Sequence, residues 1–200
     1  MDSSRKNILR KDVLEKRDGL PYERRKSLSF RIINNLFHLP EVMAAKTVFF
    51  YVNFRSEVET VEGIRRALSA GKRVAVPYCV LEERRLKYVE IKDVEKDLVE
   101  DSYGILEPKP SLRRGRTLSL EAADVALFPG SVFDVRGGRM GYGAGYYDKT
   151  FSNIKKKVPF IALAFEFQVL PPGEWVPMEG HDIGVHKIMT EKQYYECRRI

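Results

Sequence analysis

The chain has 200 residues, 44% hydrophobic and 11% aromatic, which is enough to bury a sizeable core and predicts one domain over 1–200. A formal net charge of +7 and a pI near 9.3 favour an anionic partner such as nucleic acid, phosphate or a polycarboxylate. The start lacks the apolar centre of a signal peptide, no run approaches a membrane span, and Cys79 and Cys197 stand far apart outside any CxxC pair, so a soluble cytoplasmic protein with reduced thiols is expected.

Charge is concentrated early, with ten Lys/Arg against five Asp/Glu in residues 1–31. Ser3 or Ser4 can cap a first helix running to about Arg17, with Ile8, Leu9, Val13 and Leu14 as a narrow apolar stripe and Gly19 as its stop. Lys6 and Arg10 are four apart on that helix and share a face. Two cations there can grip a triphosphate or form an ordinary solvated pair. A second helix begins at Pro21, carries Leu28, Ile32, Ile33, Leu36 and Phe37 at helical spacing, and is limited by Pro40.

Short β-branched and aromatic runs follow, at Thr47 to Val52, Arg73 to Val76, Lys87 to Ile91, Val125 to Phe128 and Phe160 to Phe165. The helical pattern ETVEGIRRALSAG separates the first two and has the length of a right-handed parallel crossover. TVFFYV, RVAVP and VALFP are nearly continuously apolar, as central strands covered on both faces must be. The expected class is α/β with a mostly parallel sheet, whose ligand site gathers at the carboxyl ends of the strands.

The loop after the fourth strand places Gly137, Gly138, Gly141, Gly143 and Gly145 within nine positions, followed by Tyr146, Tyr147 and Asp148. Such density lets backbone amides approach a phosphate, and a helix starting next would aim further N–H groups at it. The spacing is neither GxxxxGK[ST] nor GxGxxG, and a flexible glycine hairpin is the plain alternative.

The longer string FPGSVFDVRGGRMGYGAGYYDK resembles the signature of the 5-formyltetrahydrofolate cyclo-ligase family. KNILR, YVNFRSEVET, GKRVAVP, YGILEP, ALAFEFQ and the later HD extend the likeness over nearly the whole chain. The resemblance implies a Rossmann-like three-layer α/β/α domain related to the sugar-isomerase and CoA-transferase type. It implies ATP- and Mg²⁺-dependent closure of 5-formyltetrahydrofolate to 5,10-methenyltetrahydrofolate. ATP contacts fall on Lys6, Arg10, Arg139, Met140, Gly141, Tyr142, Gly143, Ala144, Gly145, Tyr146 and Tyr147. Folate contacts fall on Val52, Glu57 and the segment Tyr142, Gly143, Ala144, Gly145 and Tyr146, with Tyr103 and Phe133 as weaker stacking candidates. A metal falls on Asp148 and Asp182. Glu57 suits a pterin because a carboxylate accepts paired hydrogen bonds from ring N–H and amino groups. A capping role is the plain alternative for Asp148.

Tyr142 and Ala144 depart from relatives with basic or glycine residues there, and His186 stands where an acid is frequent. His181 and His186 have no evident third zinc ligand and are expected at the surface. Two other readings remain: a nucleic-acid or nucleotide-binding module without the reaction, supported by RRGR at 113–116 and KKK at 155–157, and an ATP-using enzyme on another formamide. A monomer without membrane or nucleic-acid partners is the expectation.

Overall fold

The structure is a computed structural model describing residues 2–101 and 104–197. Helices α1 (Asp2–Asp18), α2 (Tyr22–Leu36) and α3 (Pro40–Ala44) precede β1 (Thr47–Phe49), α4 (Val61–Ser69) and β2 (Arg73–Val80). Then come β3 (Arg85–Ile91), α5 (Val94–Asp97), β4 (Leu98–Glu100), β5 (Leu106–Pro108), α6 (Pro110–Arg116) and β6 (Thr117–Leu118). The rest is β7 (Val125–Phe128), β8 (Val132–Phe133), β9 (Arg139–Met140), α7 (Tyr146–Phe151), β10 (Phe160–Leu163), β11 (Lys187–Met189) and β12 (Tyr194–Glu196).

The main sheet runs β12-β11-β10-β7-β1-β2-β3-β6. Its centre, from β11 to β2, is parallel, while β12, β3 and β6 pair antiparallel at the margins. Strand alternation separates two cores. Val48, Val74, Val125, Leu127 and Ile161 point to α2 and α4, where Leu28, Ile32, Ile33 and Leu36 form the buried stripe of α2. Phe49, Ala75, Ala126, Phe128 and Phe160 point the other way, onto Phe151 of α7. This gives the expected three layers and a mostly parallel α/β sheet.

The chain leaves β1 for β2 on one side and later returns to place β7 on the other, so the strand order reverses between β1 and β7. A crevice opens at such a point beyond the strand ends. Over it lies α1, whose Val13 packs with Val132, Met140 and Val176 from the small β8–β9 ribbon and the later chain. The expected apolar stripe of α1 is only partly used: Val13 is buried, while Ile8 is 58% exposed. The helix instead turns the face carrying Lys6, Arg10, Val13 and Arg17 inward, because its neighbours there are loop carbonyls and carboxylates as well as hydrocarbon.

Candidate active site

A cavity of about 810 Å³ fills the crevice, and every residue assigned above to ATP, folate or metal on the resemblance lines it. The weaker candidates fare differently. Phe133 is fully buried in the core behind the sheet, unavailable for stacking on a ligand. Tyr103 lies outside the described residues.

Three segments build the walls. The chain after β1 contributes Val52, partly core, and Glu57, 5% exposed, whose Oε2 accepts the Phe54 N–H at 2.9 Å. Burial raises the Glu57 carboxyl from the ordinary carboxylate range to about 7, although the Phe54 N–H, the Arg17 guanidinium and the Tyr142 hydroxyl each pull it down. The chain after β7 contributes Pro129 and Gly130, and the glycine segment after β9 closes the third side. From α1, Arg10 Nε donates to the Gly141 carbonyl at 2.9 Å, so the basic helix and the glycine segment share one site.

The glycines divide into two structural roles. Gly137 (φ +91°) sits at the base of the segment, where a Cβ would come within 2.2 Å of the Val185 carbonyl oxygen. Asp134, 1% exposed, fixes that base by accepting N–H bonds from Arg136, Gly138 and Val176 at 2.7–3.1 Å. Gly143 (φ +100°) lies at the rim, with open space to 3.9 Å. Gly137 and Gly138, outside the segment assigned to ligand contact, are packing glycines, because backbone and Asp134 occupy the space a side chain would need.

Behind the rim, Arg139 is 5% exposed and donates to Asp148 Oδ1 at 2.7 Å and to the carbonyls of Ile183 and Pro129 at 3.3 and 3.4 Å. Asp148 is in the first turn of α7 and its Oδ1 also accepts the Ile183 N–H at 2.9 Å. Its carboxylate therefore already anchors a buried cation. Tyr147 is wedged between Phe128 and Phe151, and burial pushes its phenol well above the ordinary value, so only part of it faces the cavity. Met140 packs chiefly with Val13 and Val132. At the mouth, Lys6 Nζ lies 2.8 Å from Glu179 and 3.7 Å from Asp182.

Arg17, not among the candidates read from the sequence, is 1% exposed behind the cavity wall, bonded to the lining residues Gly130 and Tyr142. Its signal is positional: it lies seven residues beyond Arg10, on the same helical face. The histidines are where expected. His181 is at the surface and His186 bonds the Phe160 N–H on the far side, and among the described residues no group of three or more His, Cys, Asp or Glu is suited to a metal. In the basic stretches, Arg113, Arg116 and Lys156 pair with Glu107, Asp97 and Asp124. Both cysteines are free, and no described helix is long and apolar enough to cross a membrane.

Cations on a helix, a glycine-rich rim and a sequestered carboxylate at a switch point define a small-molecule enzyme site of the open α/β class. Comparison with known proteins narrows the class. A model described as the 5-formyltetrahydrofolate cyclo-ligase family matches residues 2–191, and the chain belongs to that family. It is 28% identical over 186 residues to the 5-formyltetrahydrofolate cyclo-ligase of Escherichia coli strain K12, covering 92% of this chain and 99% of that protein. The mouse 5-formyltetrahydrofolate cyclo-ligase is 26% identical over 195 residues, covering 94% and 95%. The NMR structure of Aquifex aeolicus 5,10-methenyltetrahydrofolate synthetase superposes with a TM-score of 0.81 at 32% identity, covering 96% of this chain and 93% of that one.

Proposed function

We infer that the protein closes 5-formyltetrahydrofolate to 5,10-methenyltetrahydrofolate with consumption of ATP. The observation carrying this reading is that Lys6, Arg10, the segment Gly141 to Tyr147 and Glu57 line one cavity in a chain of this family.

The formyl group on N5 is an amide, and its oxygen leaves poorly. Transfer of the γ-phosphoryl group to that oxygen creates a phosphate leaving group and ADP. N10 then attacks the formyl carbon, the C–O bond breaks with release of phosphate, and N10 loses its proton. N10 is already held near the carbon, so closure has a high effective concentration. What remains for the protein is to orient two anionic substrates and offset phosphoryl charge.

Lys6 and Arg10 supply cations for the triphosphate, with Lys6 exchanging Glu179 for phosphate oxygen, and the open backbone around Gly143 admits the phosphates closely. Arg139 acts through Asp148 and the loop carbonyls, because its guanidinium is already enclosed by them. Glu57 accepts the pterin hydrogen bonds, and Val52 and Tyr146 flank the ring. Asp148 and Asp182 line the same cavity, and such a pair suits Mg²⁺, which takes one or two carboxylates with water and phosphate oxygens. Asp148 and Asp182 would hold it, and the ion would supply charge neutralisation at the phosphates. The protein acts as a single-domain cytoplasmic monomer without a nucleic-acid partner.

An absorbance assay with 5-formyltetrahydrofolate, ATP and Mg²⁺ tests the reading. The coloured methenyl product should appear with equimolar ADP; folded protein that forms none overturns it.

A further inference from the structure

One buried charged side chain has no task in this chemistry. Arg17 is 1% exposed, and its guanidinium donates to Ser56 Oγ at 3.0 Å, to the Gly130 carbonyl at 3.3 Å and to the Tyr142 hydroxyl. These partners belong to the three segments that wall the cavity: the chain after β1, the chain after β7 and the glycine segment. Ser56 in turn donates to Asp18, so the fork is braced on α1 itself. Sequestering a guanidinium among so few acceptors is costly, and a structural tie of three loops does not by itself require a charge.

The charge has a target. From α1, Glu57 is faced by Arg17, with Asp18 behind it; from its own segment by Tyr51; from the glycine segment by Tyr142; and from α7 by Tyr147. Burial raises all three phenols, Tyr142 to about 12 and the others well above the ordinary value, so they stay neutral near pH 7. Arg17 is the cation acting on the Glu57 carboxyl.

We propose that Arg17 is a positioning residue for the folate half of the site: it fixes Tyr142 at the rim and electrostatically supports the Glu57 carboxylate that receives the pterin. This rests on the reading of Glu57 as the pterin acceptor. The ionised carboxylate accepts two hydrogen bonds from the ring, whereas the protonated group presents a donor to one of them. Folate affinity therefore follows the ionisation of Glu57, and the triphosphate contacts on Lys6 and Arg10 do not.

The test measures equilibrium binding of 5-formyltetrahydrofolate without ATP between pH 5.5 and 9, and KM for both substrates, in the wild type, Arg17→Gln, Arg17→Lys and Tyr142→Phe. Wild-type folate affinity should fall as pH drops through a midpoint near neutrality. Arg17→Gln should move that midpoint up by on the order of one pH unit. It should also raise folate KM about ten-fold at pH 7 while ATP KM changes about two-fold or less. Arg17→Lys should restore the midpoint and not the KM, because lysine keeps the charge without the fork. Tyr142→Phe should give a smaller upward shift.

A folded Arg17→Gln protein with the wild-type midpoint, or with equal losses in both KM values, overturns the proposal. If that variant does not fold, Tyr142→Phe decides, and an unshifted midpoint overturns it. Wild-type protein that makes the methenyl product but binds folate independently of pH overturns this inference and leaves the activity standing. Wild-type protein that makes no product overturns the activity itself.

Discussion

The sequence offers Asp148 as a metal-side carboxylate or a helix cap; its contacts predict that its replacement by alanine also destabilises the fold. Its Oδ1 receives the guanidinium of Arg139, whose side chain is 3% exposed, and the Ile183 N–H. Asp148→Ala leaves that cation enclosed without its counter-charge, a class of change that costs about 3–5 kcal/mol. The Asp148 side chain is 19% exposed and Arg139 keeps two carbonyl acceptors, which places the cost near the lower end, about 3 kcal/mol. For a chain of this length that is a fall in melting temperature of roughly 6–12 °C. Asp148→Asn keeps an oxygen for both donors and should cost only about 1–2 kcal/mol. Thermal unfolding followed by circular dichroism, with methenyl formation assayed well below both midpoints, separates stability from chemistry. The asparagine variant should be folded yet lose turnover about a hundred-fold. An alanine variant melting within about 2 °C of wild type would refute the buried-pair argument. Near-normal turnover in the asparagine variant would remove Asp148 from the phosphoryl chemistry.

Glu57 should oppose folding at neutral pH. Its folded-state pKa of about 7 lies above the ordinary value of 4.5, so stability from this group is present at low pH and lost as pH rises through 7. Glu57→Gln should therefore gain on the order of 2–3 kcal/mol at pH 8 relative to its effect at pH 4.5, read by urea unfolding, and an equal effect at both pH values contradicts the burial argument. The two kinds of glycine should also part. Gly137→Ala drives a Cβ to 2.2 Å from the Val185 carbonyl oxygen at φ +91° and should lower the melting temperature by about 10 °C or more. Gly143→Ala meets only the cost of its φ of +100°, about 1–2 kcal/mol, and should raise ATP KM more than it disturbs melting; a Gly137→Ala protein that melts like wild type sinks the distinction.

The central layer is readable because each strand there is a buried apolar run with a clear stop. VALF, between Asp124 and Pro129, forms β7 with the expected bounds, and α4 between β1 and β2 makes the expected crossover. The margins are not readable. Pro77 resembles a strand end, yet β2 continues to Val80 because it pairs antiparallel with β3, opposite Tyr88 at that step. β11, β12 and the β8–β9 ribbon have two or three residues each, too few to show a period of two, and only their partners define them. The apolar stripe expected on α1 fails at Ile8 for a related reason: a helix lying across strand ends meets polar loops, and hydrocarbon alone does not set its orientation.

The same geometry explains which parts of the site escape the sequence. Lys6, Arg10 and Glu57 stand in recognisable strings, but Arg17 sits in a basic helix where every cation looks solvated. Its acceptors lie 39, 113 and 125 residues further along the chain, and nothing local distinguishes it from Lys16. A buried arginine is visible only once three distant loops converge, and they converge because strand order reverses between β1 and β7. Lys6 and Arg10 can face phosphates at the solvent end of that crevice, while the charge of Arg17, about two turns beyond Arg10, acts on the sequestered carboxylate of Glu57 without a direct ion pair. One helical face thus grades from partly exposed to fully buried cation beside the cavity. That gradient gives a reason for a single helix to serve both a triphosphate, which needs mobile hydrated charge, and a pterin, which needs a fixed acceptor.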